Sequence, residues 1–195
     1  MSSGRLIVFA APAGGGKSTV IRRLRETHPA WGFSVCATTR PPRTGEVDGR
    51  EYYFLTREEF ERRVTAGEFL EHENVHGDLY GTLKAPTFER LTRGETLIFD
   101  LDVKGALNVK AAYPVALSIF LLPPSRDVLQ RRLEGRQTET PASVARRLAR
   151  ADMELALAPQ FDVRILNDDL DATVIEVEKA IAARFGPAEN SKRLT

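Results

Sequence analysis

The sequence predicts an α/β protein in which a parallel β-sheet is flanked by helices. Short apolar runs alternate with segments of helical periodicity, and this alternation is typical of a parallel sheet covered on both faces. The predicted strands are Leu6–Ala10, Thr96–Leu101, Ala116–Leu122 and Val163–Leu166. The predicted helices are Ser18–Glu26, Arg57–Ala66, Ser125–Leu133, Pro141–Leu157 and Leu170–Arg184.

The composition fits one globular domain with insertions. The chain has 195 residues, of which 42% are hydrophobic, and a net charge of +1, so no overall field favours a nucleic acid or a membrane as partner. The single Cys36 excludes an internal disulfide, and the three histidines lack zinc-ligand spacing. No apolar run could span a bilayer, and the segment before the first strand is too short for a signal peptide. We expect a cytoplasmic protein, for which the sequence specifies no oligomeric state.

The first predicted strand runs directly into a glycine-rich loop that opens a helix. Residues 12–19 read PAGGGKST, a Walker A phosphate-binding loop. Glycines let backbone N–H groups turn inward around an anion, Lys17 adds a cation, and the Ser18 hydroxyl can ligate Mg²⁺. Ala11 replaces the first glycine of the pattern, in the extended geometry favoured before Pro12. A plain glycine-rich turn would not account for Gly-Lys-Ser at the helix start. We therefore predict a P-loop NTPase-type sheet.

Two stretches do not fit the alternating core. Residues 34–83 are rich in turns, tyrosine and charge, with β-like character around Tyr52–Leu55, and residues 126–150 are dense in arginine. We expect both over the carboxyl edge of the sheet, where open α/β sheets bind ligands. The predicted organisation is a domain over 4–186 followed by a flexible tail over 187–195. Within the domain we predict a core of about 4–33, 84–125 and 155–186, a mixed α/β insert of about 34–83 and a helical lid of about 126–154.

The insert carries residues suited to a second phosphate. Arg40 and Arg43 lie three apart around two prolines, which stiffen the backbone that presents their guanidinium groups. Tyr52 and Tyr80 offer hydroxyl donors for the same group. Taken alone, these arginines would be read as solvated loop charges and the tyrosines as half-buried residues.

The motifs together make the chain resemble the guanylate kinase family over about residues 5–185. The matching segments occur in the family's order, and the block at 38–54 is the most specific of them. They are PxGxGKST at 12–19, TTRxPRxGE at 38–46, GxxYxF at 49–54, GEFLE at 67–71, YGT at 80–82, DLD at 100–102, RLxxR at 132–136 and NDDL at 167–170.

The resemblance implies roles for the insert, which would be the GMP-binding part. Glu71 and Asp102 would accept hydrogen bonds from guanine N1–H and the 2-amino group, which adenine does not offer, and Thr82 would donate to the guanine carbonyl side. Cys36 stands where the family usually has a serine, and a thiol is the weaker donor at that carbonyl. The GMP phosphate would contact Arg40, Arg43, Tyr52 and Tyr80.

The resemblance also implies ATP-dependent phosphorylation of GMP and dGMP without a general base. Lys17, Arg43, Arg136 and Arg147 would be the catalytic groups, with Arg132 beside the ATP phosphates and Asn167 beside adenine. Mg²⁺ would be held by Ser18 and, through water, by Asp100. Interleaved acidic residues indicate that Arg126 and Arg150 belong to a solvated helix face. The ATP-binding set implied is Pro12, Ala13, Gly14, Gly15, Gly16, Lys17, Ser18, Thr19, Arg132 and Asn167.

Three other functions are alternatives to phosphorylation of GMP, and the two inserts also predict a conformational change. A kinase for another phosphorylated metabolite would not need Glu71 and Asp102, and a non-catalytic phosphopeptide-binding module of this family would degrade the phosphate loop. A nucleic-acid-binding role has only the arginine cluster in its favour. Separate phosphate grips on two inserts predict closure over the bound nucleotides, with hinges near 33–34, 83–85 and 124–128.

Overall fold

The computed structural model describes residues 4–75, 77–135 and 141–186. Its strands are β1 (Arg5–Ala10), β2 (Gly32–Phe33), β3 (Cys36–Thr38), β4 (Tyr52–Phe54), β5 (Phe69–Val75), β6 (Asp78–Leu83), β7 (Thr96–Asp100), β8 (Leu117–Leu122) and β9 (Val163–Leu166). Its helices are α1 (Lys17–Thr27), α2 (Arg57–Thr65), α3 (Lys84–Thr92), α4 (Val103–Ala112), α5 (Arg126–Glu134), α6 (Pro141–Ala156) and α7 (Leu170–Phe185), with a 3₁₀ turn at Ala158–Gln160.

The core is a parallel sheet in the order β2-β7-β1-β8-β9. Strand β1 lies at its centre, and every residue from Leu6 to Ala10 is buried. Because successive side chains point to opposite faces, Ile7 and Phe9 pack with α1 and α7, whereas Leu6 and Val8 pack with α4. The predicted α/β fold class and its four core strands are therefore confirmed.

Two helices, α3 and α4, lie where the periodicity predicts none. The side chain of Asp102 accepts a hydrogen bond from the Gly105 N–H at 2.7 Å and so caps the start of α4. Val103, Ala106 and Val109 pack this helix against the sheet, but small residues occur on its buried and its exposed sides alike, so the contrast between an apolar and a polar face is weak. The short edge strand β2 also lies outside the predicted strands.

A second, mixed sheet is formed within residues 34–83, in the order β4-β3-β6-β5. Strands β3 and β4 run parallel, and β6 runs antiparallel to both β3 and β5. Helix α2 covers it through Phe60, which stacks on Phe69 with ring centroids 4.4 Å apart. The opposite face of this small sheet carries the polar side chains discussed below.

Helices α5 and α6 pack on each other beside the phosphate loop. Leu129 and Leu133 of α5 form a small apolar cluster with Leu148 of α6, and Ala13 of the loop contacts it. The predicted catalytic Arg136 and the predicted tail over 187–195 lie outside the described residues. Among the residues that are described, no helix has the length and apolar character required to cross a bilayer.

Candidate functional site

The loop between β1 and α1 needs its glycines. Gly14 and Gly16 have φ values of +83° and +86°, a backbone region that L side chains rarely adopt. A β-carbon at Gly15 would lie 2.9 Å from the Pro12 carbonyl oxygen and equally close to the Ala11 methyl group. Ala11 itself is buried in the core, so the departure from the Walker pattern is accommodated by packing.

Lys17 joins the loop to the carboxyl end of β7. Its ammonium nitrogen lies 2.7 Å from Asp100 Oδ1 and also donates to the Leu101 carbonyl oxygen. The parallel register brings Phe9, near the end of β1, opposite Asp100. Asp100 and Ser18 line the same opening, so a hydroxyl and a carboxylate lie together where the phosphates of a nucleotide would extend.

The cavity above the loop, which we call the P-loop cleft, is lined by residues 11–19 together with Arg132, Arg147 and Asn167. Among the described atoms, buried Nη1 of Arg132 has no hydrogen-bond partner. A β-carbon at Gly16 would lie 3.7 Å from that nitrogen. A buried cationic donor without a partner is costly unless a ligand supplies an acceptor, so the cleft is built for an anion.

The side chain of Asn167 stabilises the phosphate loop through a hydrogen bond. Its side-chain nitrogen donates to the Gly15 carbonyl oxygen at 2.6 Å, and the residue is buried. The family resemblance implies that Asn167 also borders adenine, and this stays a prediction. The structure adds a second relationship, since this amide holds the phosphate loop itself in shape.

A second cavity, the acidic pocket, opens beside the first between the mixed sheet and the end of β7. It is lined by polar side chains that the sequence analysis singles out and by two that it does not, Glu73 and Asn74. The lining side chains that matter here are Cys36, Tyr52, Glu71, Glu73, Tyr80 and Asp102.

Glu71 and Thr82 form a buried pair in this pocket. The Thr82 hydroxyl donates to Glu71 Oε1 at 2.7 Å, and burial raises the pKa of the Glu71 carboxyl above its usual value. Cys36 Sγ lies 3.6 Å from the Thr82 hydroxyl oxygen, and burial raises the pKa of this thiol to about 11. Cys36 is therefore a neutral thiol in this pocket, able to donate only weakly.

Glu71 and Asp102 approach each other around the first turn of α4. A β-carbon at Gly105 would lie 3.1 Å from Asp102 Oδ1 and 3.3 Å from Glu71 Oε2. Because Gly105 has no side chain, there is room for two carboxylates, one from Glu71 on β5 and one from Asp102, which precedes α4. Such a pair of acceptors matches a planar ring edge that carries two adjacent N–H donors.

Arg40 is held at the rim of the acidic pocket by a residue that we do not single out from the sequence. Glu46 accepts two hydrogen bonds from Arg40 Nη2, at 2.9 and 3.0 Å, and a third from the backbone N–H of Arg43 at 2.7 Å. The guanidinium also lies 5.4 Å from the ring centroid of Tyr52 and hydrogen-bonds the side chain of Tyr80. The structure thus brings together Arg40, Tyr52 and Tyr80, whereas the side chain of Arg43 is exposed.

Asp102 has two further neighbours. Arg150 of α6 is exposed, as a solvated helix face requires, and it also reaches across to Asp102 with Nη2 3.3 Å from Oδ2. Glu73 hydrogen-bonds Asp102, which together with burial raises the pKa of Glu73 to about 7. Arg126 is likewise exposed, and its partner is Asp152. A period of two from Glu71 along β5 is the signal that would have identified Glu73.

Comparison with known proteins agrees with the motifs. A family model described as guanylate kinase matches residues 3–184. The chain is 51% identical over 180 residues to a guanylate kinase of Chlorobium luteolum, covering 92% of this chain and 91% of that one. It is 49% identical over 177 residues to one of Gloeobacter violaceus, covering 91% and 86%. The crystal structure of guanylate kinase from Anaplasma phagocytophilum superposes with a TM-score of 0.72 at 31% identity, covering 95% and 88%.

Proposed function

The chain belongs to the guanylate kinase family and is a kinase that phosphorylates GMP with ATP, and we propose that the P-loop cleft holds ATP while the acidic pocket holds GMP. One observation carries this assignment. The two cavities share a wall made of Asp100, Leu101, Asp102 and Arg150, so ligands bound in them would meet end to end. That arrangement suits direct transfer of a phosphoryl group from one nucleotide to the other.

The P-loop cleft would hold the triphosphate by its backbone amides and cations. The N-terminus of α1 contributes partial positive charge, and Lys17 would contact the outer phosphates. Arg132 supports this role because its buried Nη1 needs an acceptor. Asn167 keeps the loop in its anion-binding shape through Gly15 and would lie beneath the nucleotide base.

Ser18 and Asp100 fit a magnesium ion that arrives with ATP. Hydroxyl and carboxylate oxygens are the ligands Mg²⁺ prefers, and it commonly keeps several waters and binds through substrate phosphates. Ser18 would bind the ion directly and Asp100 through water. When bound, the ion neutralises charge on the β- and γ-phosphates. Lys17, paired with Asp100 at 2.7 Å, would be held against the same phosphate oxygens.

In the acidic pocket, carboxylates would bind the guanine base and the residues at the rim would bind the phosphate of GMP. Glu71, oriented by Thr82, and Asp102 would accept from N1–H and the 2-amino group. Arg40, Arg43, Tyr52 and Tyr80 would hold the phosphate, and Cys36 would lie near the guanine carbonyl. Adenine would leave buried carboxylates without donors, and an unsatisfied buried polar group costs about 1–3 kcal/mol or more when charged.

The chemistry would then consist of positioning and charge stabilisation. The attacking GMP phosphate oxygen is already ionised at neutral pH, so no side chain has to remove a proton. Lys17, Arg43, Arg136 and Arg147 would stabilise the charge that spreads over the equatorial oxygens of the transferring group. The products would be GDP and ADP, or dGDP from dGMP, formed in the cytoplasm.

A coupled assay of ADP release tests this proposal. We expect turnover with GMP and dGMP and very little with AMP, CMP or UMP. Lys17→Ala should abolish it, whereas Lys179→Ala, which removes an exposed lysine paired with Glu176 on α7, should not. Equal turnover with AMP, or full activity of Lys17→Ala, would overturn the assignment. No observation in the described residues favours a phosphopeptide-binding role or another metabolite as substrate.

A further inference from the structure

Asp102 lies between two side chains that belong to different parts of the molecule. Helix α4 fixes one of its oxygens, because Oδ1 accepts from the Gly105 N–H at 2.7 Å. The other oxygen, Oδ2, faces Arg150 of α6 at 3.3 Å. Glu73, from the mixed sheet, hydrogen-bonds the same carboxylate. None of these three contacts is a substrate contact, yet all act on the group proposed to read guanine.

Arg150 is itself anchored on its own helix. Its Nε donates to Glu154 Oε1 at 2.8 Å, one turn further along α6. The Glu154 side chain is only 12% exposed, whereas that of Arg150 is 59% exposed. The mostly buried Glu154 carboxylate therefore orients the exposed guanidinium of Arg150 towards the acidic pocket. Arg150 is also part of the wall that this pocket shares with the P-loop cleft.

Glu73 lies two residues along β5 from Glu71, which forms the buried pair with Thr82. It stands opposite Tyr80 on β6, and residues two apart on a strand point to the same face, so Glu73 and Glu71 both line the acidic pocket. The hydrogen bond to Asp102 and burial raise the pKa of Glu73 to about 7, while Arg150 and Lys104 oppose that rise. A protonated Glu73 donates to Asp102, which avoids repulsion between two neighbouring carboxylates.

We propose that Glu73 and Arg150 are positioning residues that hold the Asp102 carboxylate against the guanine edge, so that helix α6 contributes to the guanine subsite. The inference rests on the proposed function, in which Asp102 accepts from guanine. Without these two partners the carboxylate has only its bond to Gly105, is free to rotate, and faces the charge of Glu71 with less compensation. The loss should fall on GMP binding and leave ATP binding unchanged.

The test uses the full chain with five variants: Glu73→Ala, Glu73→Gln, Arg150→Met, the Glu73→Ala/Arg150→Met double variant and, as control, Arg126→Met. Steady-state kinetics gives KM for GMP and for ATP and kcat, and calorimetry gives the Kd of GMP without ATP. Arg126 is a matched control because it is an exposed arginine of α5 whose partner is Asp152.

We expect Glu73→Ala and Arg150→Met each to raise the KM and Kd of GMP about five- to tenfold, the size of one lost hydrogen bond of ordinary net strength. The kcat and the KM of ATP should stay within about twofold. Glu73→Gln should recover most of the loss, since an amide donates to Asp102 as a protonated carboxyl does. The double variant should lose less than the product of the single losses, because both act through Asp102.

Two outcomes would overturn the inference. One is a KM and Kd of GMP within about twofold of wild type for either Glu73→Ala or Arg150→Met. The other is a Glu73→Gln variant as impaired as Glu73→Ala. A wild-type chain that does not phosphorylate GMP would instead overturn the proposed function, so the two failures are distinguishable.

Discussion

The side-chain amide of Asn167 supports the phosphate loop by donating to the carbonyl oxygen of Gly15 at 2.6 Å. The same nitrogen lies so close to Gly16 that a β-carbon there would come within 2.4 Å of it. The loop conformation therefore depends on a residue that follows the last core strand, about 150 positions later.

Asn167→Ala should weaken ATP binding selectively. The change leaves the buried Gly15 carbonyl without its donor, and an unsatisfied buried acceptor costs about 1–3 kcal/mol. We expect the KM of ATP to rise about tenfold, with the KM of GMP within about twofold of wild type. Steady-state kinetics with each nucleotide varied in turn checks this. An unchanged KM of ATP would show that the loop holds its shape without the amide.

Glu46→Gln should weaken GMP binding through Arg40. The carboxylate accepts two hydrogen bonds from the guanidinium and one from the Arg43 backbone N–H, whereas the amide keeps one acceptor oxygen and carries no negative charge. We expect the KM of GMP to rise about tenfold, since charge-assisted pairs are the stronger hydrogen bonds. Glu51→Gln is the control, because Glu51 lies in the same loop but pairs with Arg50 and Val47. Equal losses in both variants would point to loop disorder rather than to Arg40.

Glu71→Gln should separate activity from stability. GMP turnover should fall by about two orders of magnitude or more, because the amide turns an acceptor for guanine into a donor. The folded-state pKa of Glu71 is raised by burial, so the folded form binds this proton more tightly than the unfolded chain does. Wild-type stability is therefore lost as pH rises above the unfolded pKa of Glu71, and the variant escapes that loss. Thermal melts should show a Tm advantage for Glu71→Gln at pH 7.5 that shrinks at pH 4.5; a constant difference would contradict the argument.

The KM of GMP should depend on pH through Glu73. The pKa of this carboxyl is raised to about 7, so Glu73 carries a proton below that pH and donates to Asp102, whereas above it the two negative carboxylates repel. We expect the KM of GMP to rise between pH 7 and 8.5 in wild type. Glu73→Gln provides the reference, since titration of the GMP phosphate is common to both proteins. Parallel pH profiles for the two would exclude Glu73 as the titrating group.

Closure of the insert and the lid is the remaining expectation. Small-angle X-ray scattering should show a smaller radius of gyration for the protein with both GMP and a non-hydrolysable ATP analogue than for the empty protein. An exposed transferring group would react with water, so the two nucleotides have to be enclosed together. Identical profiles for the empty and doubly liganded protein would contradict closure.

The sequence predicts most of the core, and the elements it misses share a physical cause. Strands β1, β7 and β8 contain continuous apolar runs because they are buried on both faces, whereas β9 is a partly exposed edge strand. All four are found within one residue of their predicted ends. Helix α4 has small residues on both its buried and its exposed sides, Gly105 and Ala106 on one and Ala111 and Ala112 on the other, so it shows little helical periodicity. Helix α3 contains Pro86 in its first turn, and β2 is only two residues long. Such elements are stabilised by tertiary contacts that local patterns do not reveal.

Individual site residues could be identified where a motif contains them, but not where the fold alone creates the contact. Glu73 looks like one more acidic residue of the run from Glu68, and only the strand alternation of β5 points it into the acidic pocket. Arg150 looks like part of a charged helix face, and its contact with Asp102 depends on how α6 crosses the sheet edge. A contact between residues 48 positions apart cannot be predicted from the local sequence pattern around either of them.

Asp100 and Asp102 are separated by a single residue, Leu101. The ammonium group of Lys17 pairs with Asp100 and also donates a hydrogen bond to the Leu101 carbonyl oxygen. In the proposed function, this tripeptide sets the separation between the ATP site and the GMP site. Each residue of extended chain advances about 3.3 Å and turns its side chain to the other face. Inserting or removing one residue there would shift one nucleotide relative to the other by about the whole distance over which reacting atoms must meet. If the two nucleotides bind as proposed, the spacing of DLD sets the distance between the reacting groups, and we expect length changes in it to be far more damaging than substitution of Leu101.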